Sequence, residues 1–140
     1  MLKIGQKVYI RREPYDGADY FDPDCDEYAH IIGLVAYGED VLYQLDSQDY
    51  RCLWCEDDLY LRGESRYDDE PLFHIFDELI GKDKPECIRK VQSIYRGGSG
   101  YVYVFFDQGS EAYVTEPGEL ESNLTLYREY NSPLNTYALF

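Results

Sequence analysis

Basic residues are scarce in this sequence. Only 13 Lys and Arg stand against 28 Asp and Glu among 140 residues, a formal net charge of −15. Coating a nucleic-acid duplex needs Lys and Arg against the phosphates, so direct nucleic-acid binding is not expected. Long apolar runs are missing as well. None approaches the roughly 20 residues of a membrane helix, and the opening MLKIGQKVYIRRE has no apolar centre of the signal-peptide kind. No membrane association and a cytoplasmic location are therefore expected. Cysteine is limited to 4 residues, which in a cytoplasmic chain read as thiols rather than a disulfide frame. The sequon at Asn123-Leu124-Thr125 is then without consequence.

Aromatic residues are not scarce. They make up 16% of the chain, with 16 Tyr, 6 Phe and a single Trp. A disordered chain would have few, so this one is expected to fold. Tyr packs on its ring and hydrogen-bonds at its tip, and so many of them predict a thin core under wide amphipathic surfaces. The acid is unevenly spread: residues 1–70 hold 18 acids and 7 bases, residues 71–140 hold 10 and 6. The densest stretch, residues 13–27, has seven acids (Glu13, Asp16, Asp19, Asp22, Asp24, Asp26, Glu27) and no base; Tyr15, Tyr20, Phe21 and Tyr28 are interleaved with them, and residues 13–28 read as one long acidic loop. Further clusters are Glu56-Asp57-Asp58 and Asp68-Asp69-Glu70.

The prevailing period is two, the period of strands. Residues 4–10, 30–37, 41–45, 50–55 and 59–61 read as five short strands separated by polar turns and the long acidic loop. Residues 63–69 read as a linker. Leu72, Ile75, Phe76 and Leu79 then fall at helical spacing, with Pro71 suited to a first turn and Gly81 to a stop, so a short amphipathic helix is expected there. Strands return at 89–95, 101–106, 112–115 and 124–130, followed by the apolar end Tyr137-Ala138-Leu139-Phe140. The two halves are alike at an offset of about 60 residues. Residues 41–46 match 102–107, and the interval from Asp46 to Leu59 equals that from Asp107 to Leu120.

Residues 3–10, Lys-Ile-Gly-Gln-Lys-Val-Tyr-Ile, resemble the opening strand of SH3-like small barrels of the KOW and Tudor kind. The phrase His30-Ile31-Ile32-Gly33-Leu34-Val35, the strand Leu42-Tyr43-Gln44-Leu45 and Glu56-Asp57-Asp58-Leu59 resemble the rest of one. The resemblance covers residues 2–62 well and residues 85–130 less well. It implies a mainly β fold of two SH3-like barrels bridged by one helix: a barrel at 1–62, linker and helix at 63–81, and a second barrel at 82–140. Such barrels bind peptides, proteins or nucleic acid rather than catalyse reactions, and the resemblance speaks for fold more than function.

The chemistry-bearing motifs are few. Cys52-Leu53-Trp54-Cys55 lies in a predicted strand, which puts its two thiols on opposite faces, unlike a zinc or redox pair. Asp22, Asp24 and Asp26 stand at alternate positions like the opening of a calcium loop, but Glu27 and Gly33 occupy the places where such a loop needs Gly and an acid. Neither His30 nor His74 has an evident nucleophile beside it in sequence. No catalytic residue, metal site or cofactor is expected.

Several functions remain. The first is a non-enzymatic inhibitor whose acidic face mimics nucleic-acid phosphates and fills the basic groove of a nucleic-acid-handling protein. In charge and size the chain resembles phage-encoded acidic DNA mimics of the anti-restriction and anti-CRISPR type, and immunity proteins of nuclease toxins. The expected contacts are Asp16, Asp19, Asp22, Asp24, Asp26, Glu27, Glu56, Asp57 and Asp58, with Tyr20 and Trp54 as anchors. The second is an adaptor that takes a basic or methylated tail in an aromatic cage of Tyr43, Tyr50, Trp54 and Tyr60. The third is a divalent-cation-binding protein. The fourth, a direct nucleic-acid reader using Lys3, Lys7, Arg11 and Arg12, with Arg89-Lys90 as a second basic spot, is opposed by the overall charge.

Overall fold

The computed structural model describes residues 2–10, 28–46, 53–106 and 118–130. The chain divides into two compact units, Met1–Glu70 and Pro71–Phe140. Both are built from antiparallel strands, and the fold is mainly β.

In the first unit, β1 (Gln6–Ile10) pairs with β2 (Tyr28–Tyr37) on one side and with β5 (Leu59–Ser65) on the other. β2 continues through a turn at Gly38 into β3 (Asp40–Leu45), which pairs with the two-residue β4 (Leu53–Trp54). The spatial order is β5, β1, β2, β3, β4. A single 3-10 turn, Glu56–Asp58, joins β4 to β5. Alternation sends Val8, Ile10, Ala29, Ile31, Tyr43, Leu45 and Leu59 inward, where Ile4 and Leu34 join them. Complete burial of an aliphatic side chain such as Val8, Ile31 or Leu45 contributes about 1.5–3 kcal/mol.

The second unit repeats the pattern. β6 (Glu78–Gly81) pairs with β7 (Lys84–Gly97) and β10 (Leu124–Arg128). β7 turns at Gly98-Ser99 into β8 (Gly100–Phe105), which pairs with β9 (Glu119–Leu120). The order is β10, β6, β7, β8, β9, with a 3-10 turn, Glu121–Asn123, between the last two strands. Its core is Phe73, Ile75, Leu79, Val91, Ile94, Tyr101, Tyr103 and Leu124.

The likeness extends to single hydrogen bonds. The Gly5 amide donates to the Ile31 carbonyl at 2.7 Å, and the Phe76 amide to the Val91 carbonyl at 2.9 Å. The Gln6 side chain accepts from the Lys3 amide at 2.7 Å, and the Asp77 carboxylate from the His74 amide at 2.8 Å. The register of β2 with β3 shifts between Ile31 and Gly33, and that of β7 with β8 shifts between Val91 and Ser93. The offset of about 60 residues read from sequence holds for β2 and β3, but the residue match slips by one: Leu45 and Phe105 stand opposite Ile31 and Val91, so residues 41–46 match 101–106 rather than 102–107. The later part of the repeat also needs correction: Leu124, not Leu120, matches Leu59, since each opens the strand after a 3-10 turn. The two units differ most between their first two strands, residues 11–27 in one and only 82–83 in the other.

The short helix expected within residues 63–81 is absent. Residues 63–65 belong to β5, 71–77 form bends and turns, and 78–81 form β6. The run Leu72-Phe73-His74-Ile75-Phe76-Asp77-Glu78-Leu79 fits both periods, and period two wins. Phe73, Ile75, Asp77 and Leu79 are buried, whereas Leu72, which the helix would have buried, is 69% exposed. Two and a half helical turns are marginal alone, whereas a strand here completes ladders with β7 and β10 at once.

Candidate functional site

Of the expected contact residues, Glu56, Asp57, Asp58 and Trp54 are described. The three acids form the 3-10 turn between β4 and β5, closed by the Asp58 amide donating to the Cys55 carbonyl at 3.1 Å. Glu56 and Asp57 are exposed and Asp58 is half-buried. Three successive carboxylates are thus held on a turn fixed at both ends by strands. Trp54 lies opposite Tyr43 in the β3–β4 ladder and is half-buried. Its indole N–H is buried with no hydrogen-bond partner among the described residues. Asp16, Asp19, Tyr20, Asp22, Asp24, Asp26 and Glu27 lie outside the described residues, as do Cys25, Tyr50 and Cys52.

The aromatic cage does not form as expected. Tyr43 is 1% exposed, and its hydroxyl accepts from the Leu2 amide at 3.2 Å. Burial, reinforced by the nearby Glu56 carboxylate, raises its pKa above the usual tyrosine value. It is a core residue, closed to a ligand. Tyr60 instead joins a different group. Tyr28, Tyr9 and Tyr60 stand directly opposite one another on β2, β1 and β5. The Tyr9 ring centroid lies 5.7 Å from that of Tyr28 and 6.3 Å from that of Tyr60. Lys7 Nζ sits 4.9 Å above the Tyr28 ring. The Arg62 guanidinium sits 5.7 Å from the Tyr9 centroid and 5.9 Å from that of Tyr60. Tyr28 and Tyr60 are 49% and 37% exposed.

This row was missed in the sequence because it depends on register. Tyr9 and Tyr28 flank the acidic loop, and that flanking was its only trace in sequence. Nothing local places Tyr60 beside them. The matching positions of the second unit carry Ile80, Ile88 and Thr125, so the row belongs to the first unit alone.

The second unit has a polar centre of its own. The buried Tyr103 hydroxyl donates to Glu121 at 2.6 Å and accepts from the Phe73 amide at 3.3 Å. Burial first, and then the bond to the Glu121 carboxylate, hold this hydroxyl protonated well beyond the usual tyrosine range. Buried Asp77 accepts from the amides of His74 and Tyr130, each at 2.8 Å. A shallow depression beside it is lined by Phe76, Glu78, Lys90, Arg128, Glu129 and Tyr130. Both histidines stand beside carboxylates: His30 Nδ1 is 3.5 Å from Asp46, and His74 Nδ1 is 3.6 Å from Asp77.

Among the described residues no three His, Cys, Asp or Glu side chains are grouped to hold a metal ion. No helix there is long and apolar enough to cross a membrane. Cys55 and Cys87 are exposed free thiols. Comparison with known proteins finds no matching family model, no similar curated protein and no similar solved structure.

Proposed function

We propose that this chain is a non-enzymatic, cytoplasmic binding protein made of two SH3-like barrels. Its first unit presents carboxylates to a basic partner, a nucleic-acid-handling protein, and inhibits it by standing in for phosphates. One observation carries the reading. Two units with the same strand order carry a net of −11 in residues 1–70 and −4 in residues 71–140. The fold itself therefore does not require the acid, which destabilises a compact unit by self-repulsion. Retaining it is explained by a partner of opposite sign. Glu56, Asp57 and Asp58 supply the described part of that acidic face, and a turn held by strands keeps their spacing fixed at little entropic cost.

The test is a pull-down from native host lysate at low salt, followed by competition with duplex DNA. A basic nucleic-acid-binding protein released by duplex DNA and by moderate salt supports the reading. A partner retained through both sinks it.

A second reading, an adaptor that grips a peptide through aromatics, is favoured by the half-exposed row of Tyr28, Tyr9 and Tyr60. Substituting two of these tyrosines then abolishes capture, while neutralising Glu56, Asp57 and Asp58 leaves it intact. The mimic predicts the reverse weighting. The cation-binding reading rests on Asp22, Asp24 and Asp26, which lie outside the described residues.

A further inference from the structure

The outward face of β5, β1 and β2 departs from the matching face of the second unit: three tyrosines stand side by side where that unit has Ile80, Ile88 and Thr125. Lys7 and Arg62 lie over those rings in a chain of net charge −15. We propose that the row of Tyr28, Tyr9 and Tyr60 is a docking strip for arginine side chains of a basic segment of the partner, and that Arg62 and Lys7 hold the place of those arginines in the free protein. The inference rests on the reading that the partner is basic.

The chemistry follows from the rings. A tyrosine face attracts a cation within about 6 Å of its centroid, and a guanidinium, being flat and weakly hydrated, stacks there better than an ammonium. Arg62 already spans two rings and Lys7 covers the third. Arg62 is exposed, and its only other described bond is a 3.3 Å contact to the Leu61 carbonyl. It is therefore easily displaced. Residues 1–70, the first unit, carry a net charge of −11, so a basic segment is drawn to the unit that bears the row. An incoming arginine-rich segment is drawn by charge and sorted by stacking. The strip then discriminates arginine from lysine, which bulk acidity alone does not.

The experiment uses the full chain and three probes: nona-arginine, nona-lysine and a single-stranded oligothymidine. Nona-arginine is expected to bind about threefold to tenfold more tightly than nona-lysine. Tyr60→Leu should remove that preference, while Tyr127→Leu, an exposed tyrosine of the second unit beside Arg128, should keep it. Arg62→Gln avoids any doubt about folding and gives a signed result. It should tighten nona-arginine severalfold, because the placeholder is gone. Equal binding of the two peptides, or weaker nona-arginine binding by Arg62→Gln, overturns the strip while leaving the basic partner standing. Failure of both peptides to bind at low salt overturns the basic-partner reading and the strip with it. Tight oligothymidine binding that Arg62→Gln weakens marks the face as an anion site and overturns the proposal.

Discussion

Phe76 holds a left-handed backbone, φ 72°, at the position that Gly5, φ 92°, occupies in the first unit. Glycine adopts that conformation freely, and a bulky residue does so at a penalty of about 1–2 kcal/mol. The Phe76 ring explains why the penalty is tolerated. It packs 5.0 Å from Tyr130 and stacks at 6.2 Å on Phe106, centroid to centroid. The usual order of substitutions should therefore invert here. Phe76→Ala loses the ring and keeps the strain, whereas Phe76→Gly loses the ring and relieves it. Urea unfolding should find the alanine variant less stable than the glycine variant by about 1 kcal/mol.

Gly5 faces the opposite constraint. A Cβ there would fall on the Ser65 hydroxyl and within 2.6 Å of the Tyr67 ring, on a backbone that already disfavours it. Gly5→Ala should destabilise by about 2 kcal/mol or more. Thermal unfolding of the purified variant checks this.

Burial of Tyr103 should make the second unit lose stability in alkali. Its folded pKa lies above the unfolded value of 10.0, mainly because the hydroxyl is buried and then because it donates to Glu121. A raised folded pKa means that the unfolded chain loses the proton first. The stabilisation is therefore complete below pH 10 and is lost as pH rises beyond it. Tyr103→Phe should flatten that alkaline decline in urea midpoint. At neutral pH it should cost about 1–2 kcal/mol by stranding the Phe73 amide. Tyr43→Phe strands only the half-exposed Leu2 amide and should cost less.

Much of this architecture was legible in the sequence. Period two placed β2, β3, β7 and β8, because each strand pairs with its neighbour across a short Gly turn and needs no distant information. Residues 71–81 were misread because Asp77 stands on the inward face. A buried acid breaks the apolar alternation, and the remaining apolar residues then spell a helix. Only the structure reveals that the His74 and Tyr130 amides satisfy that carboxylate. The tyrosine row was hidden for a different reason. Its three members lie on strands whose alignment is set by long-range pairing, and Tyr60 reaches Tyr9 only through the β1–β5 ladder.

The role of Asp77 is itself testable. Asp77→Asn keeps the volume but puts an NH₂ donor where two amide donors require acceptors. The variant should lose about 1–3 kcal/mol. Hydrogen exchange at the His74 and Tyr130 amides should accelerate more than at the centre of β8.

Charge on the acidic turn should matter for binding and hardly at all for folding. Glu56→Gln, Asp57→Asn and Asp58→Asn together remove three charges from the surface turn, two of them exposed and one half-buried. Stability should stay within about 0.5 kcal/mol of the parent or rise slightly. Association with the basic partner should slow, measured by stopped-flow mixing at low salt.

The most direct test of the central claim is the affinity of the full chain for its captured partner, measured across ionic strength. Phosphate mimicry by carboxylates predicts an affinity that falls steeply with salt, with a shallower slope for the Glu56, Asp57 and Asp58 triple variant. An affinity that stays level from low to high salt would contradict it.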